Sequence, residues 1–232
     1  MRLTLRKLPL VLVAMLALSA VAVSSASAAP EWHVKKGGTW SKVTGSVAVK
    51  PQVVKVGLAL GTAKEGFACT STEGSEGALE AGGLAKLTRF LMVPEPSHNC
   101  EPVKGKGIGN YCVKVTKITD VHLPWKLQLS AEGTEIRGSL SSSGAGTPGL
   151  EVRCTSEFLG EFLLICESET TGTSVHLVNN STLGLVEGHF DAKSAKWQCT
   201  GGAGTPGEWL GTVNFKPTAE EKSKGIEAIK VE

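Results

Sequence analysis

The sequence predicts an all-β fold, a disulfide-stapled antiparallel sandwich or barrel-like domain. Apolar residues alternate with small or polar ones in several runs, such as Val54–Leu60 and Val113–Ile118, and a period of two is typical of strands. The 28 glycines interrupt these runs at short intervals, as the turns between short strands require. The third observation is six cysteines behind an export leader, an even count that is typical of disulfides.

The first 28 residues have the pattern of a cleaved signal peptide. Basic residues come first, Leu8–Val23 is an apolar run, and Ala26–Ala28 supplies the small-residue cleavage pattern. No later stretch reaches the roughly 20 apolar residues that a membrane helix needs. We therefore expect a protein that is secreted or held on the outer face of the cell envelope, with no membrane span after cleavage.

The charge balance argues against nucleic acid as a partner. The whole chain is formally +2, and the leader contributes three basic residues and no acidic ones. The remainder thus carries about −1, whereas nucleic-acid-binding domains carry clustered basic residues in excess.

The mature chain divides into an N-terminal lead over residues 29–44 and a β domain over residues 45–232. Two halves that meet near residues 141–149 are the alternative to a single unit. The hexapeptide GAGTPG occurs at residues 144–149 and again at 202–207, before a strand-like run each time. Neither copy has the lysine of a phosphate loop, so we interpret both as loops whose glycines and proline set the backbone.

Two segments carry local signals. Thr218–Gly225 has a helix N-cap residue at its start and a glycine at its end, which predicts one helical turn. Leu84–Val93 fits either a helix or a strand, and its alternation favours the strand.

All six cysteines follow the leader, and they are Cys69, Cys100, Cys112, Cys154, Cys166 and Cys199. Cys100–Cys112 and Cys154–Cys166 are each twelve positions apart, a hairpin-sized separation, which leaves Cys69 to pair with Cys199. The CxxC and CxxxH spacings of zinc sites are absent from the sequence, so bound zinc is only the minor alternative.

The two aspartates of the chain each lie two residues from a histidine, as Asp120/His122 and His189/Asp191. On a strand this spacing places both side chains on one face, where they could hold a divalent metal or form a base with its orienting group, with His176 as a further ligand. The alternative is surface polarity alone. No GxSxG or HExxH motif and no cofactor motif is present, so a non-catalytic protein without a cofactor is favoured over an enzyme.

Aromatic residues are scarce, and we divide them by context. Trp125, after a proline, and Trp197, next to a cysteine, are predicted to be core residues. Trp32, Trp40 and Tyr111 are the candidates to face a ligand, with docking of the lead segment as the alternative for the two tryptophans.

Val53–Leu60 is a valine-rich β former that pairs either inside the sheet or between chains. Pairing between chains would make the protein a self-associating coat or matrix component.

Three motifs occur in a familiar order: VHLPWKLQL from Val121, GTPGLEVRC from Gly146 and FDAKSAKWQC from Phe190. From about Phe67 onwards the chain resembles an uncharacterised family of exported, cysteine-containing all-β proteins of soil actinobacteria. The resemblance implies fold and export, and it implies no active site.

The function expected from the sequence is therefore that of an exported, non-catalytic envelope or extracellular protein. It would be a binding or structural module, whose partner would be a cell-wall or extracellular polymer or a protein. The alternative is a secreted hydrolase or metal-binding protein that uses the Asp120/His122 and His189/Asp191 pairs.

Overall fold

A computed structural model describes residues 28–60, 65–69, 75–90, 101–102, 114–144, 146–156, 160–168, 173–190, 196–200 and 205–232. Antiparallel strands make up nearly all of this part of the chain, so the predicted all-β, disulfide-bonded fold is confirmed. The predicted signal peptide lies outside the described residues, apart from Ala28.

The strands are β1 (Trp32–Lys36), β2 (Thr39–Lys42), β3 (Val47–Leu60), β4 (Glu65–Cys69), β5 (Glu76–Glu80), β6 (Leu84–Arg89), β7 (Glu101–Pro102), β8 (Lys114–Val121), β9 (Trp125–Glu132), β10 (Glu135–Ser142), β11 (Gly149–Ser156), β12 (Gly160–Ser168), β13 (Thr173–Asn180), β14 (Leu185–Phe190), β15 (Lys196–Thr200), β16 (Thr205–Pro217) and β17 (Ile226–Val231). The helix α1 (Ala219–Ser223) lies between the last two strands.

Eight strands close into an antiparallel barrel in the order β3, β5, β6, β9, β10, β13, β14, β16 and back to β3. Alternate residues of each strand point inward, which produces the period of two seen in the sequence. On β9, for example, Trp125, Leu127 and Leu129 are buried while Lys126 and Gln128 are exposed. The barrel is therefore the main hydrophobic core.

The two longest strands, β3 and β16, leave the barrel together and continue into a second sheet. Its order is β7, β4, β3, β16, β15, β12, β11, β8. The chain alternates between the two: β5, β6, β9, β10, β13 and β14 belong to the barrel, and the strands between these pairs belong to the second sheet. An aromatic cluster fills the junction, where Trp197 and Trp209 stack with ring centroids 4.5 Å apart.

A third, three-stranded sheet joins the two ends of the described chain in the order β17, β1, β2, and we call it the terminal sheet. Glu31 and Glu232 exchange backbone hydrogen bonds of 2.8 and 3.1 Å. The amide side chain of Asn179 on the barrel bonds to both backbone groups of Val231. Trp32 is fully buried and lies 5.9 Å from the ring of Phe215, so the terminal sheet is docked on the barrel.

The first GAGTPG copy is a loop before a strand, as predicted. Gly146 has φ of +96°, and a Cβ there would lie 2.5 Å from two atoms of the His122 ring. β11 then begins at Gly149. In the second copy, Thr205–Gly207 already belong to β16 and residues 202–204 lie outside the described residues. In both copies the described residues therefore lead into a strand or belong to one.

The cysteine pairing expected from the spacings is wrong for Cys154–Cys166 and for Cys69–Cys199. Cys166 is instead bonded to Cys199, its direct cross-strand partner between β12 and β15. Cys69 and Cys154 are also disulfide-bonded. The predicted pair Cys100–Cys112 lies outside the described residues.

The helical turn predicted within Thr218–Gly225 is confirmed, and the strand favoured for Leu84–Val93 is confirmed as far as Arg89, while residues 91–93 lie outside the described residues. Thr218 caps α1 by accepting a hydrogen bond from Glu221 N at 3.2 Å, and Gly225 follows the helix with φ of +91°. Leu84–Arg89 is strand β6.

The valine-rich run Val53–Leu60 is part of β3. It pairs with β16 along one edge, and Val56–Leu60 pair with β4 along the other, so this run pairs inside the sheet. No helix in the described residues is long and apolar enough to cross a membrane.

Replacing Trp32 with alanine is expected to lower the free energy of unfolding by about 3–5 kcal/mol, because it leaves a cavity between the terminal sheet and the barrel. Urea denaturation of the oxidised protein measures this loss. Trp40→Ala, on the next strand, should cost about 1 kcal/mol or less, because its ring is partly exposed. Equal losses for the two variants would contradict the docking role of Trp32.

Replacing Gly146 with alanine is expected to destabilise the protein by about 1–3 kcal/mol, because φ is positive there and the His122 ring occupies the space of the new methyl group. Gly144→Ala is the matched control, since nothing lies within 4 Å of a Cβ at that position. Thermal unfolding of both variants separates this local requirement from a general need for glycine in the loop.

Candidate functional site

The barrel interior is filled by side chains. Trp125, Phe190 and Phe215 are among the residues that line its central void, which has a volume of about 10 Å³. That is room for no more than one water molecule. Among the described residues, the barrel therefore offers no internal site for a small-molecule ligand, and binding chemistry must be sought on outer surfaces.

The three aromatics predicted to face a ligand have different positions. Trp32 does not face one: it points into the core because it lies on the same face of β1 as Val34, opposite Val231. Trp40 is 38% exposed on β2. Tyr111 lies outside the described residues. Trp125 and Trp197 are buried, as predicted.

Trp40 stands on the outer face of the terminal sheet, among charged side chains. We define the Trp40 face by its side chains, which are Trp40, His33, Lys35, Lys42 and Lys230. The strand register places Trp40 opposite Lys35, and His33 between Lys42 and Lys230. The Lys230 ammonium lies 4.9 Å from the centroid of the Trp40 ring, within cation–π range.

Carboxylates balance the positive charges of the Trp40 face. Lys42 Nζ lies 2.9 Å from Glu31 Oε2, and Lys230 is paired with Glu232. His33 Nδ1 lies 3.7 Å from the same Glu232 carboxylate. The Trp40 face thus combines a partly exposed indole with lysine donors and glutamate acceptors. Because these charges are paired, the net charge of the face is small.

Asp120 and His122 do not meet on one face of a strand, because β8 ends at Val121 and His122 has φ of +60°. Asp120 Oδ2 accepts a hydrogen bond from Phe90 N at 2.8 Å. His122 Nδ1 lies 2.7 Å from Thr147 O and 3.3 Å from Glu167 Oε1. A carbonyl oxygen only accepts, so Nδ1 carries the proton and the ring fastens the loop before β11.

Asp120 has an unusual environment. Its Oδ1 is buried and has no hydrogen-bond partner in the part of the chain that the structure describes. Burial raises the pKa of the Asp120 carboxyl from its ordinary value of 3.8 to about 7, and the Phe90 hydrogen bond and the Arg89 charge offset this rise only in part.

His189 lies opposite His176 across β13 and β14, and the ring centroids are 6.4 Å apart. Its Nε2 is 3.2 Å from Glu187 Oε2, and its Nδ1 is 3.1 Å from Thr212 Oγ1. Both ring nitrogens are therefore occupied by groups of the chain itself. The expected partner Asp191 lies outside the described residues. No group of three or more metal-ligating side chains converges within the described ranges.

One signal in the sequence could have located the Trp40 face. Gly37 and Gly38 separate two short β runs by two residues, and both have positive φ, as a tight hairpin requires. That turn fixes Lys35 opposite Trp40. The contribution of Lys230 had no comparable signal, because it comes from the other end of the chain.

Comparisons with protein-family models, with curated proteins and with solved structures gave no match to this chain.

Asp120→Asn is expected to remove part of the pH dependence of stability. Between about pH 4 and pH 7 the native wild type binds more protons at Asp120 than the unfolded chain does, so its stability falls as the pH rises through this window. At pH 8 the asparagine variant should be more stable by up to about 4 kcal/mol, and near pH 4 the difference should vanish.

Urea unfolding of the wild type and of Asp120→Asn, repeated across this pH range, measures the difference in their free energies of unfolding. Asp120→Ala is the companion variant, because it removes the charge and also the acceptor for Phe90 N, and it should be less stable than asparagine at every pH. Parallel pH profiles for wild type and Asp120→Asn would contradict the raised pKa.

Proposed function

We propose that this protein is an exported, non-catalytic binding protein of the cell envelope or the extracellular space, and that it holds a polysaccharide on the Trp40 face. The observation that carries the proposal is a partly exposed indole among charged side chains, on the terminal sheet that is docked on a barrel whose interior is already filled.

Export is supported by two independent features. The leader has the basic, apolar and small-residue segments of a signal peptide. The cysteines of the described chain are in disulfides, which persist in oxidising compartments outside the cytosol. The resemblance to exported actinobacterial proteins points to the same location.

A polysaccharide suits the chemistry of this face. An indole is flat and amphipathic, so it can cover the apolar C–H face of a sugar ring while neighbouring groups bind hydroxyls. Lys35 and Lys42 supply donors, and the carboxylates paired with them, Glu227 and Glu31, supply acceptors. The balance of charges favours a polymer of low charge over a polyanion.

The hydrolase or metal-binding alternative receives no comparable support. Asp120 and His122 make separate contacts, and His189 has both nitrogens occupied. A binding role is therefore the function that we infer from the geometry.

The proposal is tested by sedimentation with isolated actinobacterial cell walls and a panel of insoluble polysaccharides. We expect the oxidised mature protein to be retained by at least one polymer. Trp40→Ala should lower the affinity by about tenfold, because the indole supplies most of the apolar contact.

Leu163→Ala is the matched control, because Leu163 is 40% exposed on β12, away from the Trp40 face. It should bind like the wild type. Retention by no polymer, or equal losses for the two variants, would refute polysaccharide binding through this face. A circular dichroism spectrum of each variant confirms that the fold is intact.

A further inference from the structure

Strand β2 is an open sheet edge. It pairs with β1 along one side, and within the described residues no strand pairs with the other side. All four of its residues, Thr39–Lys42, are exposed. Its pairing with β1 shows no bulge and its sequence contains no proline, so two of the devices that blunt an edge strand are missing. Its four-residue length and Lys42 are two such devices that it does have, and the pairing proposed below has to accommodate both.

The register shows which backbone groups of β2 point outward. Val43 N donates to Trp32 O at 2.9 Å, so the residue after β2 turns its backbone groups towards β1. Hydrogen-bonding direction alternates along an antiparallel strand. Ser41 therefore also faces β1, and the N–H and C=O groups of Trp40 and Lys42 face the open side.

We propose that two copies of this chain associate through antiparallel pairing of their β2 strands, with the two-fold axis beside Ser41. The two terminal sheets then form one continuous sheet across the dimer. Trp40 of each copy exchanges backbone hydrogen bonds with Lys42 of the second copy, which uses every outward-facing group of the strand.

Side-chain chemistry selects this register over its neighbours. Because directly opposed residues share a face, the Lys42 side chain lies beside the Trp40 indole of the second copy, where its ammonium makes a cation–π contact. A register centred on Lys42 would place like charges opposite each other. A register centred on Trp40 would oppose the Lys42 backbone to Gly38 in the hairpin turn, where no strand continues.

The pairing places both Trp40 rings on the same face of the joined sheet. It would lengthen the surface that we propose for a polysaccharide and make its binding bivalent. The pairing needs only the outward backbone groups of β2 and the Trp40–Lys42 contact. It can therefore be tested, and refuted, independently of polysaccharide binding.

Engineered cysteines test the register without any polysaccharide. In Ser41→Cys the two thiols lie in a non-hydrogen-bonded pair, whose Cα atoms are about 4.5 Å apart, within the range of a disulfide. Thr39→Cys is the matched control on the same exposed strand. In the proposed dimer the two Thr39 positions are offset by four residues along the paired strands, a distance of about 13 Å that a disulfide cannot span. Both variants are mildly oxidised and analysed by non-reducing electrophoresis.

The proposal expects a covalent dimer of Ser41→Cys that forms many times faster than that of Thr39→Cys. Equal rates, or no dimer in either variant, would overturn it. The described cysteines are all in disulfides, so none of them competes as a free thiol.

Sizing of the unmodified protein supplies the second measurement. We expect a dimer fraction that grows with protein concentration. Lys42→Pro should be monomeric throughout, because it removes an outward N–H that no strand of the described residues accepts. Lys42→Ala keeps that N–H and should still associate, more weakly. A wild type that stays monomeric at all concentrations would refute the pairing, whatever the result with polysaccharides.

Discussion

The pairing of β3 with β16 is the constraint on which the rest of the structure depends. It runs from Val49 opposite Pro217 to Leu60 opposite Gly207, with one shift of register between Thr212 and Val213. One half of this ribbon closes the barrel, and the other half is the centre of the second sheet. Because the two strands are about 150 residues apart in sequence, the barrel closes only when this long-range contact has formed. Both sheets therefore form around the same pair of strands.

The same ribbon explains why the interior of the molecule is filled. Trp209 on β16 stacks on Trp197 and meets Phe190 edge-on, with centroids 5.0 Å apart, while Phe90 lies 5.9 Å away. These rings occupy the junction where the second sheet leaves the barrel. Large aromatic side chains therefore contribute to the core by burial and stacking, and few are left for the surface. In the described part of the chain most aromatic rings are buried, and the partly exposed ring of Trp40 is a small platform for a ligand.

Much of the fold could be predicted from the sequence, and the disulfide map could not. Strand alternation, the single helical turn and the buried Trp125 follow from local patterns that the structure keeps. Pairing of cysteines follows instead from strand register, which no spacing reveals. β11 and β12 do form a hairpin, yet the register sets Cys154 opposite Phe162 and Cys166 opposite Leu150. Cys166 meets Cys199 because β15 lies on its other side, which is a property of the sheet order.

The same distinction between local pattern and long-range register applies to the candidate site. The i, i+2 spacing of Asp120 and His122 predicts a shared face only if the strand continues, and β8 ends between them. The side chains of the Trp40 face come from β1, β2 and β17, at opposite ends of the described chain. A sequence window centred on Trp40 shows a hairpin and a tryptophan, and it cannot show that Lys230 lies over the ring. Because the two ends of the described chain meet in one sheet, that sheet has both a polar aromatic face and an edge that no described strand covers. A binding surface and a self-complementary interface can be built together from these two features.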